Sequence, residues 1–312
     1  MMVKKKSEDT SCKDPAPQKK QTLVADSSKV TTSAQASPTC QKELMSPKCK
    51  VAIITGGATG IGFSTACHLL KNCARHVIIT GIDSGEGESA VEQLEERYGD
   101  NKVTFVCGDV KNPAHFEGLF EMACEAFGGT DILFNNAGIL QDKSWGNEVD
   151  VNVKGVIIGT LLAFKYMGKD KGGKGGLVIN NASIAGLHPL PGAPVYCITK
   201  HAVIGATLNF GHKFHYQTTG VRVCAICPGS TSTDVTENVC ENQLTPEWGK
   251  EAERQIFLKP AQSPDVVGKA VMYILRQARS GTIWVVHNNI LKFVEIPNRH
   301  KISTFVKEFT AC

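Results

Sequence analysis

Short apolar runs recur along this chain with helix-length stretches between them, and that rhythm leaves few folds open. The runs are Val51-Ala-Ile-Ile-Thr55, His76-Val-Ile-Ile-Thr80, Val103-Thr-Phe-Val-Cys107, Asp131-Ile-Leu-Phe134, Gly176-Leu-Val-Ile-Asn180, Val221-Arg-Val-Cys-Ala-Ile226 and Thr282-Ile-Trp-Val-Val286. Most are apolar at consecutive rather than alternate positions. Successive side chains of a strand face opposite sides, so such strands are buried on both. The first run leads into a helix ending near Asn72, and further helices are expected near 85–98, 113–127, 142–167, 195–217 and 263–278. Crossovers of that length cover both faces of a sheet. The pattern therefore predicts an α/β fold: one doubly wound, seven-stranded, mostly parallel sheet over roughly 48–296, with helices on both faces.

Charge separates this body from what precedes it. Residues 1–49 hold nine lysines and five acids, which is the whole formal excess of +4, while the remainder balances at 25 of each sign. A neutral body gives no electrostatic reason to expect nucleic acid. Residues 1–47 are polar and rich in Lys, Ser and Thr, and read as a disordered tail without the apolar core of a signal peptide. Residues 297–312 read as a C-terminal extension, and no apolar run has the length of a membrane span.

Twelve cysteines invite a disulfide or metal reading. Cys224 and Cys227 form a Cys-x-x-Cys, but within a strand, where residues three apart face opposite sides. No second pair of matching spacing exists for a zinc site, so no metal is expected. Cys67, Cys73, Cys107, Cys124 and Cys197 read as small core fillers, and the chain as a cytoplasmic protein with reduced thiols.

Two motifs carry chemistry. The first run ends in Thr55-Gly-Gly-Ala-Thr-Gly-Ile-Gly62, a glycine-rich turn opening a helix. In that context Gly56, Gly60 and Gly62 permit a tight turn, admit a pyrophosphate to the backbone and let the helix pack on the sheet. The phosphates then meet unpaired N–H groups at a helix start, beside Ile61. The second motif is Tyr196-Cys-Ile-Thr-Lys200, with the phenol and the ammonium one turn apart on one helix face. A free phenol with a pKa near 10 is a poor base at neutral pH, and a nearby cation favours its ionised form. Ser183 closes the fifth strand, where its hydroxyl can polarise a substrate oxygen.

The chain resembles the classical short-chain dehydrogenase/reductase family. The marks run in order: the Thr-Gly-x-x-x-Gly-x-Gly turn, Asn135-Asn-Ala-Gly138, Asn152, Ser183, Tyr196-x-x-x-Lys200 and Pro228-Gly229. The resemblance implies a Rossmann-type domain and assigns roles. Tyr196 is the general acid/base, and Lys200 supports it and holds the nicotinamide ribose. Asn152 holds a water that joins Lys200 to solvent. Asp109, beside Val110, accepts from the adenine amino group. Asn135, Asn136, Ala137 and Gly138 support the cofactor floor, and Pro228, Gly229, Thr231 and Thr233 line its nicotinamide end. Ile179-Asn-Asn-Ala-Ser-Ile-Ala-Gly186, Pro194-Val-Tyr-Cys-Ile-Thr-Lys-His201 and Ala225-Ile-Cys-Pro-Gly229 further resemble the NAD-linked 15-hydroxyprostaglandin dehydrogenase branch, with its insect relatives.

Cofactor choice and substrate are less constrained. The acid that takes a ribose hydroxyl in NAD sites is expected at the end of the second strand, where Gly81 stands and Asp83 follows two residues later. No Arg or Lys lies at 58–59 or within 81–87 to meet the extra phosphate of NADP. NAD is the expected cofactor, with NADP and a non-catalytic cofactor-binding or storage role as alternatives. Leu140, Trp145, Leu187, Leu190, Ala193 and Val195 are candidate pocket residues, with 230–260 as a lid. The prostaglandin-oxidising relatives have Gln where Gly192 and Ala193 stand. The expected substrate is therefore a small apolar, lipid-like secondary alcohol or ketone. By resemblance, a homodimer would pair through helices 142–167 and 195–217.

Overall fold

The structure, a computed structural model, describes residues 43–258 and 260–296. A single sheet runs in the order β3-β2-β1-β4-β5-β6-β7-β8. The strands are β1 (Val51–Thr55), β2 (His76–Gly81), β3 (Val103–Cys107), β4 (Ile132–Asn135), β5 (Gly176–Asn181), β6 (Val221–Pro228), β7 (Ile283–His287) and β8 (Ile290–Val294). The first seven are parallel, with Ile53 of β1 set between Ile78 of β2 and Leu133 of β4. Apolar continuity has the cause inferred for it. Ala52 and Ile54 face one cluster and Val51 and Ile53 the other, all at 2% exposure or less. Each buried isoleucine contributes about 1.5–3 kcal/mol relative to leaving it in water.

Helices α1 (Gly60–Lys71), α2 (Ser84–Tyr98) and α3 (Pro113–Phe127) follow the first three strands. Leu69 of α1 and Leu94 of α2 lie in one core cluster, and Phe116 and Phe120 of α3 in the other. The strand order reverses between β1 and β4, so the glycine turn and the loop after β4 open into the same crevice.

Four features depart from the expected layout. The segment read as one helix over 142–167 is a short turn at Asp142–Ser144, then α4 (Trp145–Val149), a π-helical turn at Asp150–Lys154, and α5 (Gly155–Met167). Gly155 N–H reaches back five residues to Asp150 O, the mark of one extra residue in the turn. The segment 195–217 divides into α6 (Pro194–Phe210) and α7 (Lys213–Thr219), with His212 capping the second by accepting from Phe214 N–H. An eighth, antiparallel strand extends the sheet. Its hairpin turns on Asn288 and Asn289, both at positive φ (51° and 62°), as a two-residue turn of that hand requires. The expected lid contains α8 (Pro246–Ile256), and α9 (Pro264–Gln277) then returns to pack beside α1.

The tail boundary and the thiols also shift. Residues 1–42 and the extension 297–312 lie outside the described residues, but Leu44 N–H donates to Arg276 O of α9 at 2.7 Å, so 43–47 lies on the domain. Cys224 and Cys227 do pack on opposite faces. Cys197 is buried and Cys67 packs half-buried against the core, whereas Cys73, Cys107 and Cys124 are exposed, so three of the expected core fillers are not in the core. Those three sit in the turn after α1, at the end of β3 and on the outer face of α3, where an apolar local sequence does not imply depth.

Candidate active site

The site begins at the glycine turn. Gly56 and Gly60 both take positive φ (59° and 52°), which a side chain would oppose. A Cβ on Gly62 would lie 2.0 Å from Gly56 O, so α1 can start this close to the turn only without one. Thr59 precedes α1 and its side chain caps nothing, and the first turn holds no acid. The leading N–H groups of Gly60, Ile61 and Gly62 thus face outward without an intrahelical acceptor.

Asn136 holds the turn from beneath. Its amide nitrogen donates to Thr55 O and Gly56 O at 2.9 and 2.8 Å, and its oxygen accepts from Asn181 Nδ2 at 3.0 Å. Thr55 Oγ1 accepts the N–H groups of Asn136 and Ala137. The cofactor-floor residues Asn135 and Asn136 are therefore struts. Asn135 donates to Asn180 Oδ1 at 2.9 Å, buried deep in the sheet.

Neighbouring elements bring Ser183, Tyr196 and Lys200 together. Ser183 follows β5 and accepts from Ala185 N–H at 3.1 Å, which fixes its rotamer at the strand's end. Tyr196 lies in the first turn of α6 with its hydroxyl bonded to Ser183. Burial pushes the phenol above its ordinary value, and the Ser183 hydrogen bond pulls in the other direction. Lys200, 4% exposed, donates to Asn181 O at 2.9 Å and lies 5.4 Å from the centre of the Tyr196 ring. Burial lowers its pKa from 10.5 to about 8, against the raising pull of Glu148. Cys227, pushed up to about 12 by burial, remains a neutral thiol beside the Ser183 N–H.

Asn152 occupies the middle of the π-helical turn and is buried. It clasps Ile139 from both sides, accepting from its N–H at 2.9 Å and donating to its carbonyl at 2.8 Å, and it donates to Thr199 Oγ1 at 3.1 Å. Both amide protons are thus committed, and Asn152 ties the loop after β4 to α6. A Cβ on Gly138 would come within 3.2 Å of Asn152 Oδ1 and 3.3 Å of Lys200 Nζ, so these groups surround one point.

A cavity of about 560 Å3 opens above this group. Leu140, Ile184, Leu190, Val235, Ile256 and Leu258 supply its apolar wall, and Pro228, Gly229, Thr231 and Thr233 stand on the side of the glycine turn. Of the expected pocket residues, Leu140 and Leu190 face it. Trp145 does not: it starts α4 on the surface, 60% exposed. Ala193 is buried beneath the wall, and Leu187 packs against the opposite core beside α6, so neither lines the cavity. Nor does Val195, whose half-buried side chain lies outside it. Gly192 carries α8: a Cβ there would fall 2.2 Å from Ala252 N and 2.6 Å from Trp248 O. Sequence reasoning missed His188, Arg254 and His287 at this cavity, because they belong to three segments joined only by folding.

The crevice suits a dinucleotide on three counts. The unpaired N–H groups of α1 match a pyrophosphate. Asn181 Oδ1 and Ser230 Oγ lie on the cavity wall, buried and without a hydrogen-bond partner among the described residues. At the far end, Asp83 caps α2 by accepting from Glu86 N–H at 2.9 Å, and Asp109 accepts from Lys111 N–H at 2.9 Å with Val110 buried beside it. The Glu86 carboxyl is raised by burial and by the nearness of Asp83 and Asp234, so three acids share this end. No membrane-spanning helix is present among the described residues.

The chain is similar to several known proteins. A model of the short chain dehydrogenase family matches residues 50–244. Human 15-hydroxyprostaglandin dehydrogenase [NAD(+)] is 37% identical over 190 residues, covering 61% of this chain and 71% of the human protein. Alcohol dehydrogenase 1 of Ceratitis capitata is 30% identical over 246 residues, covering 79% and 95%. The crystal structure of levodione reductase superposes with a TM-score of 0.63 at 29% identity, covering 73% of this chain and 90% of that one. The chain belongs to the short-chain dehydrogenase family and is an oxidoreductase acting on CH–OH groups.

Proposed function

We propose that this protein moves a hydride between NAD and a secondary alcohol or ketone of apolar, lipid-like character, with Tyr196 as general acid/base. The observation that carries the proposal is the meeting of Ser183, Tyr196 and Lys200 at a largely apolar cavity beside the glycine turn. In the oxidation direction Tyr196 takes the substrate's hydroxyl proton while Ser183 holds the same oxygen. The Lys200 ammonium, next to the ring, lowers the energy of the tyrosinate that accepts this proton. In reduction each step reverses. NAD, when bound, supplies the hydride acceptor. Gly60, Ile61 and Gly62 would hold its pyrophosphate, and Thr231 and Thr233 its nicotinamide end.

NAD is favoured over NADP by charge. Asp83, Glu86 and Asp234 place three carboxyls where a second ribose phosphate would have to sit, with no Arg or Lys among residues 81–87. The apolar wall favours a hydrocarbon substrate. Arg254, at the cavity's rim, is already held by both oxygens of Glu251 at 2.7 and 2.8 Å. A second copy of the chain pairs along α5 and α6, where Leu161 and Ile198 stand 51% and 64% exposed.

Fluorescence titration with NADH and NADPH, followed by turnover of 2-octanol and 2-octanone, tests this reading. NADH is expected to bind more tightly, and Tyr196→Phe to keep that binding while turnover falls by roughly 10²–10⁴. Undiminished turnover in that variant sinks the mechanism. Binding of NADPH alone moves the protein to the NADP-linked reductases, and binding without turnover of either probe moves it to the storage role.

A further inference from the structure

Behind the catalytic tyrosine lie two carboxyl groups that the reaction does not use. Asp142 and Glu148 are both at 0% exposure. Asp142 spans the start of α6 from more than fifty residues away. Its Oδ2 accepts from Val195 N–H at 2.8 Å and its Oδ1 from Tyr196 N–H at 2.9 Å. No local residue serves that purpose, since the N-cap Ala193 has no capping side chain and Pro194 has no N–H. An ionised carboxylate is the favoured occupant of such a place, because it satisfies orphan N–H donors at the positive end of the helix dipole.

Glu148 is built differently. Its Oε1 accepts from Gln141 N–H at 3.2 Å, while its Oε2 is buried and accepts from no donor among the described residues. The titratable groups facing it are Asp142 on the preceding turn, and Tyr196 and Lys200 across on α6. A second buried anion in that company has no donor for its free oxygen. A proton on Oε2 resolves this, because it turns an unsatisfied acceptor into a donor aimed at Asp142.

We infer that Asp142 and Glu148 share one proton, and that this carboxylic acid–carboxylate pair is a positioning device. It fixes the first turn of α6 and keeps a second negative charge away from Tyr196. The inference rests on the reading of Tyr196 as general base. In that reading Tyr196 is fixed at two points, its backbone N–H by Asp142 and its hydroxyl by Ser183. Proton loss from Glu148 adds a buried negative charge beside the phenol, which strengthens the phenol's hold on its own proton and slows alcohol oxidation. The shift of Glu148 to about 8, caused by burial and by Asp142, accords with this arrangement.

Three measurements on the full chain decide the matter. In the 13C spectrum of glutamate carboxyls, one signal is expected to titrate well above the ordinary range and to vanish in Glu148→Gln. A Glu148 signal that titrates with the other glutamates overturns the proposal. Melting temperature is read from pH 5 to 9. Glu148 has a folded value above its unfolded one, so the stability it lends at low pH is lost as pH rises from about 4.5 to about 8. The advantage of Glu148→Gln over wild type is therefore expected to grow across that window and then level. A difference independent of pH overturns the proposal, as a purely steric role predicts.

The last measurement is kcat for 2-octanol with NAD between pH 6 and 10. Glu148→Gln keeps a neutral donor and flattens the alkaline fall, whereas Glu148→Ala lowers kcat at every pH by about tenfold or more. Identical alkaline limbs in wild type and Glu148→Gln overturn the proposal. If wild type turns over neither probe, it is the proposed function that fails, and the carboxyl and melting data still judge the pair.

Discussion

Replacing Asn136 with Ala separates a strut from a cofactor ligand. The side chain makes three hydrogen bonds, two to the carbonyls of Thr55 and Gly56 and one from Asn181, at 2.8–3.0 Å in a half-buried layer. Each is worth about 1 kcal/mol net, and a carbonyl left dry costs more than one left to water. The sum is about 2–4 kcal/mol, which for a domain of this size lowers Tm by roughly 5–15 °C. The turn it supports then samples other shapes, so NADH affinity is expected to fall about tenfold, or ~1.4 kcal/mol. Differential scanning fluorimetry and an NADH titration of the same variant supply both readings. An unchanged Tm with weakened NADH binding refutes the reasoning, because it makes Asn136 a direct ligand. An unchanged Tm with unchanged binding removes it from the site altogether.

Two further substitutions divide stability from activity. Lys200→Met removes a buried cation and is expected to lower turnover at least a hundredfold while leaving Tm equal or higher. The folded value of Lys200 is depressed, so its stability contribution is present above pH 10.5 and lost as pH falls through about 8; the Tm advantage of Lys200→Met is accordingly largest below pH 8 in a melting series. Gly62→Ala sets a Cβ 2.0 Å from Gly56 O, a backbone atom that cannot swing aside. It is expected to cost about 1–3 kcal/mol in denaturant unfolding and to abolish measurable NADH binding.

The sheet was legible because parallel strands buried on both faces must be apolar at every position, as Ile53 and Ile54 are. The glycine turn and the Tyr196–Lys200 spacing were legible for a related reason, since backbone approach and helix periodicity both leave a local imprint. What stayed hidden depends on residues distant in sequence. Asp142 reads as an ordinary acid at a helix start until α6 is placed against it. Asp234 joins Asp83 and Glu86 only through packing, since Asp83 and Glu86 already share the first turn of α2. Trp145 misled because a large apolar side chain near a site suggests a wall, whereas the turn at Asp142–Ser144 rotates it to the surface. The Asn288-Asn289 signal for β8 was present and local, but lay beyond the strands that the repeating pattern had already accounted for.

The seat of α8 on Gly192 ties the width of the cavity to a position outside its lining. Ala252 N and Trp248 O would lie 2.2 and 2.6 Å from a Cβ there, so the wall of the cavity rests on bare backbone two residues before α6 begins. Any larger residue at 192 must carry α8 outward, taking Ile256 and Leu258 with it. Pocket width is thus geared to the start of α6 through one missing methyl group. A change of pocket width made at 192 would leave every lining residue as it was, so comparing lining residues alone would miss it.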